Sequence, residues 1–238
     1  MEINIAHFFP ELLNLYGDKG NVCSLVKRCE WRGIKVNFKE YDINDSIDFS
    51  EIDIAIVGGG NDYAMQAVLN RFREISDELR EYIENNGVML VLCSAYPMFG
   101  KKFPLSGKQC DGLSVIDAET VTVSKRLISN VIIETEFGMV AGFENHGTVT
   151  YVRNHNPFGK VIYGNGNNGE DKTEGVIYKN LFASYLHGPL LPKNPHLTDN
   201  FIKRALERKY NEPISLEELD DSVELSAFKH ISDRFIKE

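Results

Sequence analysis

The sequence lacks the features that mark a membrane-spanning or secreted chain. Its 238 residues contain no run of about 18 consecutive apolar residues, and its amino terminus, Met-Glu-Ile-Asn-Ile, does not resemble a signal peptide. No two of its four cysteines form a Cys-x-x-Cys pair, which argues against a zinc site or a dithiol redox motif. These absences predict a cytoplasmic protein with free thiols and no bound metal.

Positive charge is also scarce. The chain has 26 Lys and Arg against 35 Asp and Glu, a net charge of −9, whereas binding to nucleic-acid phosphates needs a basic surface. With 42% hydrophobic and 26% charged residues, the composition is that of a globular chain. No low-complexity or linker segment interrupts it, so we predict one domain and no nucleic-acid partner.

One glycine-rich segment matches a cofactor motif by spacing alone. Residues 164–169, Gly-Asn-Gly-Asn-Asn-Gly, fit the pattern G-x-G-x-x-G. A dinucleotide site requires that a helix follow, but residues 170–175 are polar and have no apolar period. The segment is therefore predicted to be a long hairpin loop, and no cofactor is expected.

The first hundred residues alternate strand and helix patterns. Strands are predicted at 2–7, 34–41, 52–57 and 88–92; helices are predicted at 22–31 and at 63–85, the latter broken near Ile75. Strands that are apolar throughout are typical of a parallel sheet covered on both faces. We therefore predict an α/β fold, a single domain with a mostly parallel central sheet and helices on both faces.

The second half favours antiparallel strands. The segments with strand character are 113–118, 119–124, 129–135, 139–143, 159–163, 175–178 and 182–186. A helix is predicted at 198–210. Ser215 and Glu218 form a capping box, which predicts that a polar helical extension occupies residues 215–238 beyond a core of about residues 2–210.

Cys93 is the first candidate for chemistry. It ends the apolar run 88–92 and is followed by the small residues Ser94 and Ala95, a pattern typical of a sharp strand-to-helix turn. Such a turn exposes its central side chain beside free backbone N–H groups. The alternative is a buried core cysteine, because free cysteine is among the most buried residue types.

Two further segments lie at predicted strand ends. Gly58-Gly59-Gly60 follows the strand 52–57, and ligands of open α/β sheets bind at that edge. A reactive Cys93 needs a base, and His187 ends the last strand while His146 lies in a turn-like segment. Position alone does not choose between the two histidines.

Together these segments resemble a class I glutamine amidotransferase of the flavodoxin-like fold. Four longer stretches, residues 13–21, 142–147, 164–170 together with 174–175, and 185–195, resemble the cobyric-acid-synthase-like branch. Within that branch the similarity is strongest to the GatD-type glutaminase subunits of lipid II isoglutaminyl synthases. The resemblance spans roughly residues 2–206 and is most specific in the second half.

The resemblance implies a role for each site residue. Cys93 would attack the side-chain amide of L-glutamine, and His187 would activate the thiol and protonate the leaving ammonia. Ser94, Gly59 and Gly60 would supply oxyanion N–H groups. Arg126 would bind the glutamine α-carboxylate, and Glu144, His146 and Asp18 are secondary candidates for the site.

The resemblance also implies a partner. Ammonia would pass to a Mur-ligase-like, ATP-dependent subunit of the MurT type, which activates the D-glutamate carboxyl of the lipid II stem peptide. The chain would not insert into the membrane, although that acceptor is a membrane-anchored lipid precursor. Two other functions remain open: ammonia supply to another acceptor, such as a corrinoid acid, and a degenerate, non-catalytic binding subunit.

Several positions depart from the family pattern. The usual Cys-Gly-Gly-Tyr-Gln reads Cys-Ser-Ala-Tyr-Pro at residues 93–97, and Ser94 and Ala95 have less backbone freedom than glycine. Pro189 stands where many members have an acidic residue two positions after the histidine. No third member of a catalytic triad is assignable in this chain, which motivates the hypothesis that the partner supplies a carboxylate.

Overall fold

The computed structural model describes residues 1–15 and 17–235. The first part of the chain forms, in order, β1 (Glu2–Phe8), α1 (Lys19–Glu30), β2 (Lys35–Tyr41), β3 (Ile54–Val57), α2 (Asp62–Glu74), α3 (Ser76–Glu84) and β4 (Val88–Leu92). The predicted break near Ile75 is the boundary between α2 and α3. Tyr16, which belongs to the stretch of resemblance at residues 13–21, and residues 236–238 of the predicted extension lie outside the described residues.

The rest of the chain adds seven short elements, two long strands and two helices. They are α4 (Ala95–Met98), β5 (Lys102–Leu105), β6 (Lys108–Asp111), β7 (Ala118–Thr135), β8 (Gly138–Val152), β9 (Gly159–Tyr163), β10 (Thr173–Glu174), β11 (Val176–Tyr178), β12 (Leu181–Ser184), α5 (Pro195–Tyr210) and α6 (Ser222–Phe235).

The central sheet has six strands in the order β11-β12-β4-β3-β1-β2. All neighbours are parallel except β11 and β12. A second sheet, with the order β10-β9-β7-β5-β6 and with β8 paired to β7, is mostly antiparallel. The predicted α/β class, with a mostly parallel central sheet and antiparallel strands in the second half, is confirmed.

Side chains of the central strands alternate between two apolar clusters. In β3, Ile54 and Ile56 face one cluster, and Ala55 and Val57 face the other. The first cluster includes apolar residues of α1 and α5, and the second those of α2 and α3. Because each face of the sheet is covered, an uninterrupted apolar run is the expected strand pattern.

Two strand predictions in the second half were wrong. Residues 113–117 are not a strand, because Leu113, Ser114 and Val115 donate their N–H groups to the carbonyls of Met98, Gly100 and Phe99 and so wrap the end of α4. The strands predicted at 119–124 and 129–135 are one strand, β7, with a register shift between Thr122 and Leu127. The hairpin β5–β6 was missed because its residues are mostly polar.

The capping box at Ser215 does not open a helix. Ile214 is buried and Leu216 packs against the core, and the Ile214 N–H donates to the Glu207 carboxylate. These contacts keep the segment irregular, so α6 begins only at Ser222. Among the described residues, no helix is both long and apolar enough to cross a bilayer.

Candidate active site

Cys93 lies on a tight turn between β4 and α4. Its φ is +54°, in the left-handed region that non-glycine residues avoid and that functional turns often use. The Cys93 N–H donates to the Ser184 carbonyl of the neighbouring strand at 2.8 Å. This places the thiol at the carboxyl edge of the parallel sheet, and the side chain is 4% exposed.

The triple-glycine turn lies directly against Cys93. A Cβ on Gly59 would stand 3.0 Å from the Cys93 Cβ and 3.4 Å from its Sγ, so this close approach of backbone to thiol requires glycine. The Gly59 N–H donates to Asp18 Oδ2 at 3.0 Å, and the Gly60 N–H donates to Ser94 Oγ at 2.9 Å. The two glycine N–H groups predicted as oxyanion donors are therefore engaged within the protein in this structure.

Asp18 is a buried carboxylate at the start of α1. It is fully buried, and its Oδ1 has no hydrogen-bond partner among the described residues. Burial raises the pKa of Asp18 to about 6, although the hydrogen bond from the Gly59 N–H opposes this rise. Asp18 therefore bears a buried negative charge at neutral pH, next to the glycine turn.

His187 follows β12, which pairs in parallel with β4. Its backbone N–H and carbonyl pair with Phe143 of β8 at 3.0 and 3.3 Å, so the residue joins the two sheets. The imidazole is 3% exposed. The structure thus places Cys93 directly after β4 and His187 three residues after β12, beyond the carboxyl ends of two adjacent parallel strands.

Burial governs the ionisation of both groups. It raises the pKa of the Cys93 thiol to about 12, to which the Asp18 charge adds, while the Ser94 N–H and Arg126 act in the opposite direction. Burial also lowers the pKa of His187 to about 4, and the charges of Lys193 and His146 lower it further. At neutral pH this structure therefore contains a thiol and a neutral imidazole, not a thiolate–imidazolium pair.

Arg126 reaches the site because β7 is irregular. Thr122 pairs with Thr148 and Leu127 with His146, so four residues of β7 stand opposite the single residue Gly147 of β8. This bulge turns Arg126 out of the strand pairing. Its guanidinium donates to the Asn145 side-chain oxygen at 3.0 Å and to the Asn145 carbonyl at 2.9 Å. The side chain is exposed and retains donors for a ligand carboxylate.

A cleft of about 750 Å³ lies between the two sheets. Of the nine predicted site residues, five line it: Cys93, Ser94, Gly60, Arg126 and His146. The other four are buried and do not line it: Gly59, Asp18, Glu144 and His187. The volume suits a small polar molecule with a reactive group at the thiol and a carboxylate at the arginine.

His146 and Glu144 lie on the strand β8 and not in the turn expected for His146; His146 lines the cleft, and Glu144 is fully buried. The His146 ring stacks on Tyr185 at 3.7 Å between centroids, and its Nδ1 donates to the Thr148 carbonyl at 2.5 Å. Glu144 accepts hydrogen bonds from the N–H groups of Asn165 and Gly166 at 2.8 and 2.9 Å. Both side chains therefore have structural partners within the described residues.

The glycine-rich segment 164–169 is the loop of the hairpin β9–β10, which confirms the hairpin prediction. Its backbone encloses the Glu144 carboxylate rather than a phosphate. No group of three or more His, Cys, Asp or Glu side chains in residues 1–15 and 17–235 could hold a metal ion.

Three buried residues of the site were not predicted: Glu174, Tyr185 and Tyr96. Tyr185 contacts Tyr96 edge-on at 5.0 Å, and its hydroxyl bonds those of Thr148 and Thr150 at 3.0 and 2.7 Å. Glu174 accepts from Ser184 and Tyr185. A single acidic residue in a polar hairpin gives no sequence signal of burial, because the fold alone buries it.

Fold and site define an α/β protein with a cysteine on a strand-to-helix turn, the architecture of thiol-dependent hydrolases and acyl transferases. A solved structure described as a glutamine amidotransferase shares the fold, with a TM-score of 0.56 at 17% identity over 84% of this chain and 98% of its own. The CobB/CobQ-like glutamine amidotransferase domain matches residues 4–195. The chain belongs to this family.

Two curated relatives match almost the whole chain. Both are named lipid II isoglutaminyl synthase (glutamine-hydrolyzing) subunit GatD. The protein from Staphylococcus aureus is 40% identical over 98% of this chain and 96% of its own length. The protein from Streptococcus pneumoniae is 35% identical over 98% of this chain and 91% of its own length.

Proposed function

We propose that this chain is the glutamine-hydrolysing subunit of a lipid II isoglutaminyl synthase and works in the cytoplasm. The observation that carries the proposal is the cleft that joins Cys93, on its left-handed turn, to Arg126. The two GatD relatives, which match over 98% of the chain, support the particular reaction.

The reaction has two steps. The Cys93 sulfur attacks the glutamine side-chain carbon, its proton passes to His187, and the protonated amine leaves as ammonia. Water then cleaves the glutamyl thioester, which releases glutamate and returns the thiol. Arg126 binds the α-carboxylate. The Ser94 N–H, together with a Gly59 or Gly60 N–H released from its present partner, stabilises the oxyanion.

The acceptor half of the reaction belongs to the partner. A Mur-ligase-like subunit of the MurT type activates the D-glutamate carboxyl of the lipid II stem peptide with ATP, and ammonia attacks it to give D-isoglutamine. Two features of this chain support dependence on a partner. The low pKa of His187 makes it a weak base, and Pro189 leaves no carboxylate at the usual position. A partner carboxylate beside His187 raises that pKa.

The test measures glutamate and ammonia release from L-glutamine by the chain co-expressed with a MurT-type subunit. Wild type is compared with Cys93→Ala, and lipid II with ATP is added to follow amidation. We expect Cys93→Ala to abolish both glutamate release and glutamine-dependent amidation. Equal glutamate release by the two proteins contradicts the proposal. Alanine variants of the partner's acidic residues that all retain full activity contradict the shared-carboxylate hypothesis.

A matched pair of variants tests Arg126. Because Arg126→Ala removes a charge-assisted hydrogen bond of about 1.5–3 kcal/mol, we expect the KM for glutamine to rise about 10–100-fold. Lys125→Ala removes the same charge from the same bulge, but Lys125 does not line the cleft, so its KM should stay within about twofold of wild type. Equal KM values for the two variants contradict the role of Arg126.

A further inference from the structure

Glu174 is a buried carboxyl group that the proposed reaction does not use directly. It lies on the two-residue strand β10 and is fully buried. Its Oε1 accepts hydrogen bonds from the Ser184 hydroxyl and from the Tyr185 N–H, each at 2.8 Å. Its Oε2 has no partner among the described residues. A buried polar group with this little compensation is costly, which favours a function for it.

Ser184 connects Glu174 to both candidate catalytic residues. The Ser184 carbonyl accepts the Cys93 N–H at 2.8 Å, and its hydroxyl oxygen accepts the Leu186 N–H at 3.0 Å. His187 is the next residue. The Glu174 carboxyl group therefore contacts residues 184–186, a short segment that hydrogen-bonds to Cys93 and is followed directly by His187.

This segment needs such support because the sheet ends before it. β12 stops at Ser184, so the buried N–H groups of Tyr185 and Leu186 lie beyond the strand pairing. Glu174 and the Ser184 hydroxyl provide the acceptors that a continuing ladder would have supplied. The Tyr185 side chain in turn contributes to the cleft wall.

Glu174 is held in place by the hairpin loop. Asn167 accepts the Gly175 N–H at 2.9 Å and donates to the Gly175 carbonyl at 3.0 Å, which fixes the residue next to Glu174.

Burial raises the pKa of Glu174 to about 8. The negative charge of Glu144 raises this pKa further, whereas the hydrogen bonds from the Ser184 hydroxyl and the Tyr185 N–H lower it. At pH 7 the side chain is therefore mostly the neutral acid, for which glutamine is a close replacement.

We propose that Glu174 is a positioning residue for glutamine hydrolysis: its carboxyl group holds residues 184–186 so that His187 is set against Cys93. The inference rests on the proposed function and adds to it a residue that touches neither glutamine nor the reacting atoms. Misplacement of a catalytic group by about 1 Å is sufficient to reduce a rate about 100-fold.

The test uses the complex with the partner subunit and measures kcat and KM for glutamine. We expect Glu174→Ala to lower kcat about 100-fold and to leave KM within about threefold of wild type. The reason is that glutamine still binds Arg126, whereas His187 is misplaced. Glu174→Gln keeps a carbonyl acceptor for Ser184 and Tyr185, so its kcat should recover to within about threefold of wild type.

A remote buried carboxylate provides the control. Asp53 precedes β3 at the opposite edge of the sheet, where it accepts from the Asn4 N–H and the Lys209 ammonium, each at 2.7 Å. Asp53→Ala should lower the melting temperature and leave kcat unchanged. If Glu174→Ala does not fold, Ser184→Ala, which removes one hydroxyl, should lower kcat about tenfold.

The outcomes separate the two proposals. Equal glutamate release by wild type and Cys93→Ala overturns the proposed function and this inference with it. An active wild type with a normal kcat in Glu174→Ala, or in Ser184→Ala where that variant replaces it, overturns this inference alone. A Glu174→Gln variant as slow as Glu174→Ala also overturns it.

Discussion

Cys93 adopts a backbone conformation that costs a non-glycine residue about 1–2 kcal/mol. The surrounding structure imposes it, because the Cys93 N–H is held by Ser184 while the chain turns at once into α4. Gly59 leaves room for the resulting thiol position. At the scale of single residues, the site therefore depends on strain at one cysteine and on the absence of a side chain at one glycine.

The reactivity of Cys93 should be low at neutral pH. Because burial raises the pKa of its thiol to about 12, its alkylation by iodoacetamide should be slow at pH 7 and accelerate about tenfold per pH unit up to pH 10. Peptide mass spectrometry of the isolated chain measures the rate, and the exposed Cys23 serves as the internal control. Labelling of Cys93 as fast as Cys23 at pH 7 would contradict the direction of this pKa shift.

Asp18 should reduce stability at neutral pH. Its pKa is raised from 3.8 to about 6 in the folded protein, so the folded state binds a proton more tightly than the unfolded state. Its contribution to the free energy of unfolding therefore declines as pH rises from about 4 to 6, and the penalty is complete above pH 6. Asp18→Asn, which can still accept the Gly59 N–H, should stabilise the fold by about 1–3 kcal/mol at pH 7.5.

Urea unfolding of wild type and Asp18→Asn at pH 7.5 and at pH 4 measures this effect. At pH 4 both proteins have an uncharged side chain at position 18 in the folded state, so the gain should be absent. The same gain at both pH values would show that the effect is not electrostatic.

At the scale of elements, the C-terminal helix α6 is joined to the domain by charge more than by apolar burial. None of its residues is buried. Instead, the buried Arg28 of α1 donates to Asp221, directly before α6, at 2.5 and 3.0 Å, and to Asp199 of α5 at 2.6 and 2.7 Å. This network holds Asp221, the residue directly before α6, against α1.

Replacement of Arg28 should therefore weaken the attachment of α6 to the rest of the domain. In Arg28→Met the carboxylates of Asp199 and Asp221 lose a buried partner, and we expect the free energy of unfolding to fall by about 3 kcal/mol. Faster proteolysis within residues 211–221 should accompany this loss. Lys27→Met is the matched control, because Lys27 is exposed and pairs with Glu30 on the surface, and the urea midpoint of this variant should not change. Equal urea midpoints for the two variants would contradict the role of Arg28 in attaching α6 to the domain.

At the scale of the whole molecule, the cleft is formed by both sheets. Cys93 and Gly60 come from the central sheet, and Arg126 and His146 from the second. A ligand that contacts both sides stabilises the complete fold, because it binds the folded state alone.

Glutamine should therefore raise the melting temperature of the Cys93→Ala variant, which cannot consume it. At a glutamine concentration of 100 times Kd the stabilisation is about 2.7 kcal/mol, which corresponds to about 5–10 °C for a chain of this size. Differential scanning fluorimetry measures the shift, with D-glutamine as the control. No shift with L-glutamine up to about 100 mM, or equal shifts with both enantiomers, would contradict a glutamine site in the cleft.

The sequence alone determined the class of fold, the order of elements in the first half and the position of Cys93 at a strand end. Apolar runs such as 88–92 are a local property, and burial on both faces is the simplest way to satisfy them. The amidotransferase family was also recognisable from the sequence, and it is confirmed by the family match. The catalytic and binding roles of the individual site residues remain predictions.

Only the tertiary structure decided which polar residues are buried, and against what. Glu174, Asp18 and Arg28 are ordinary charged residues in the sequence, but their environments come from partners 10 to 193 residues away. The engagement of the glycine N–H groups by Asp18 and Ser94 likewise arises from long-range packing. The periodicity of a strand or helix is a local property of the sequence. Whether a charged side chain is buried, and which group it pairs with, depends on the residues that the fold places next to it.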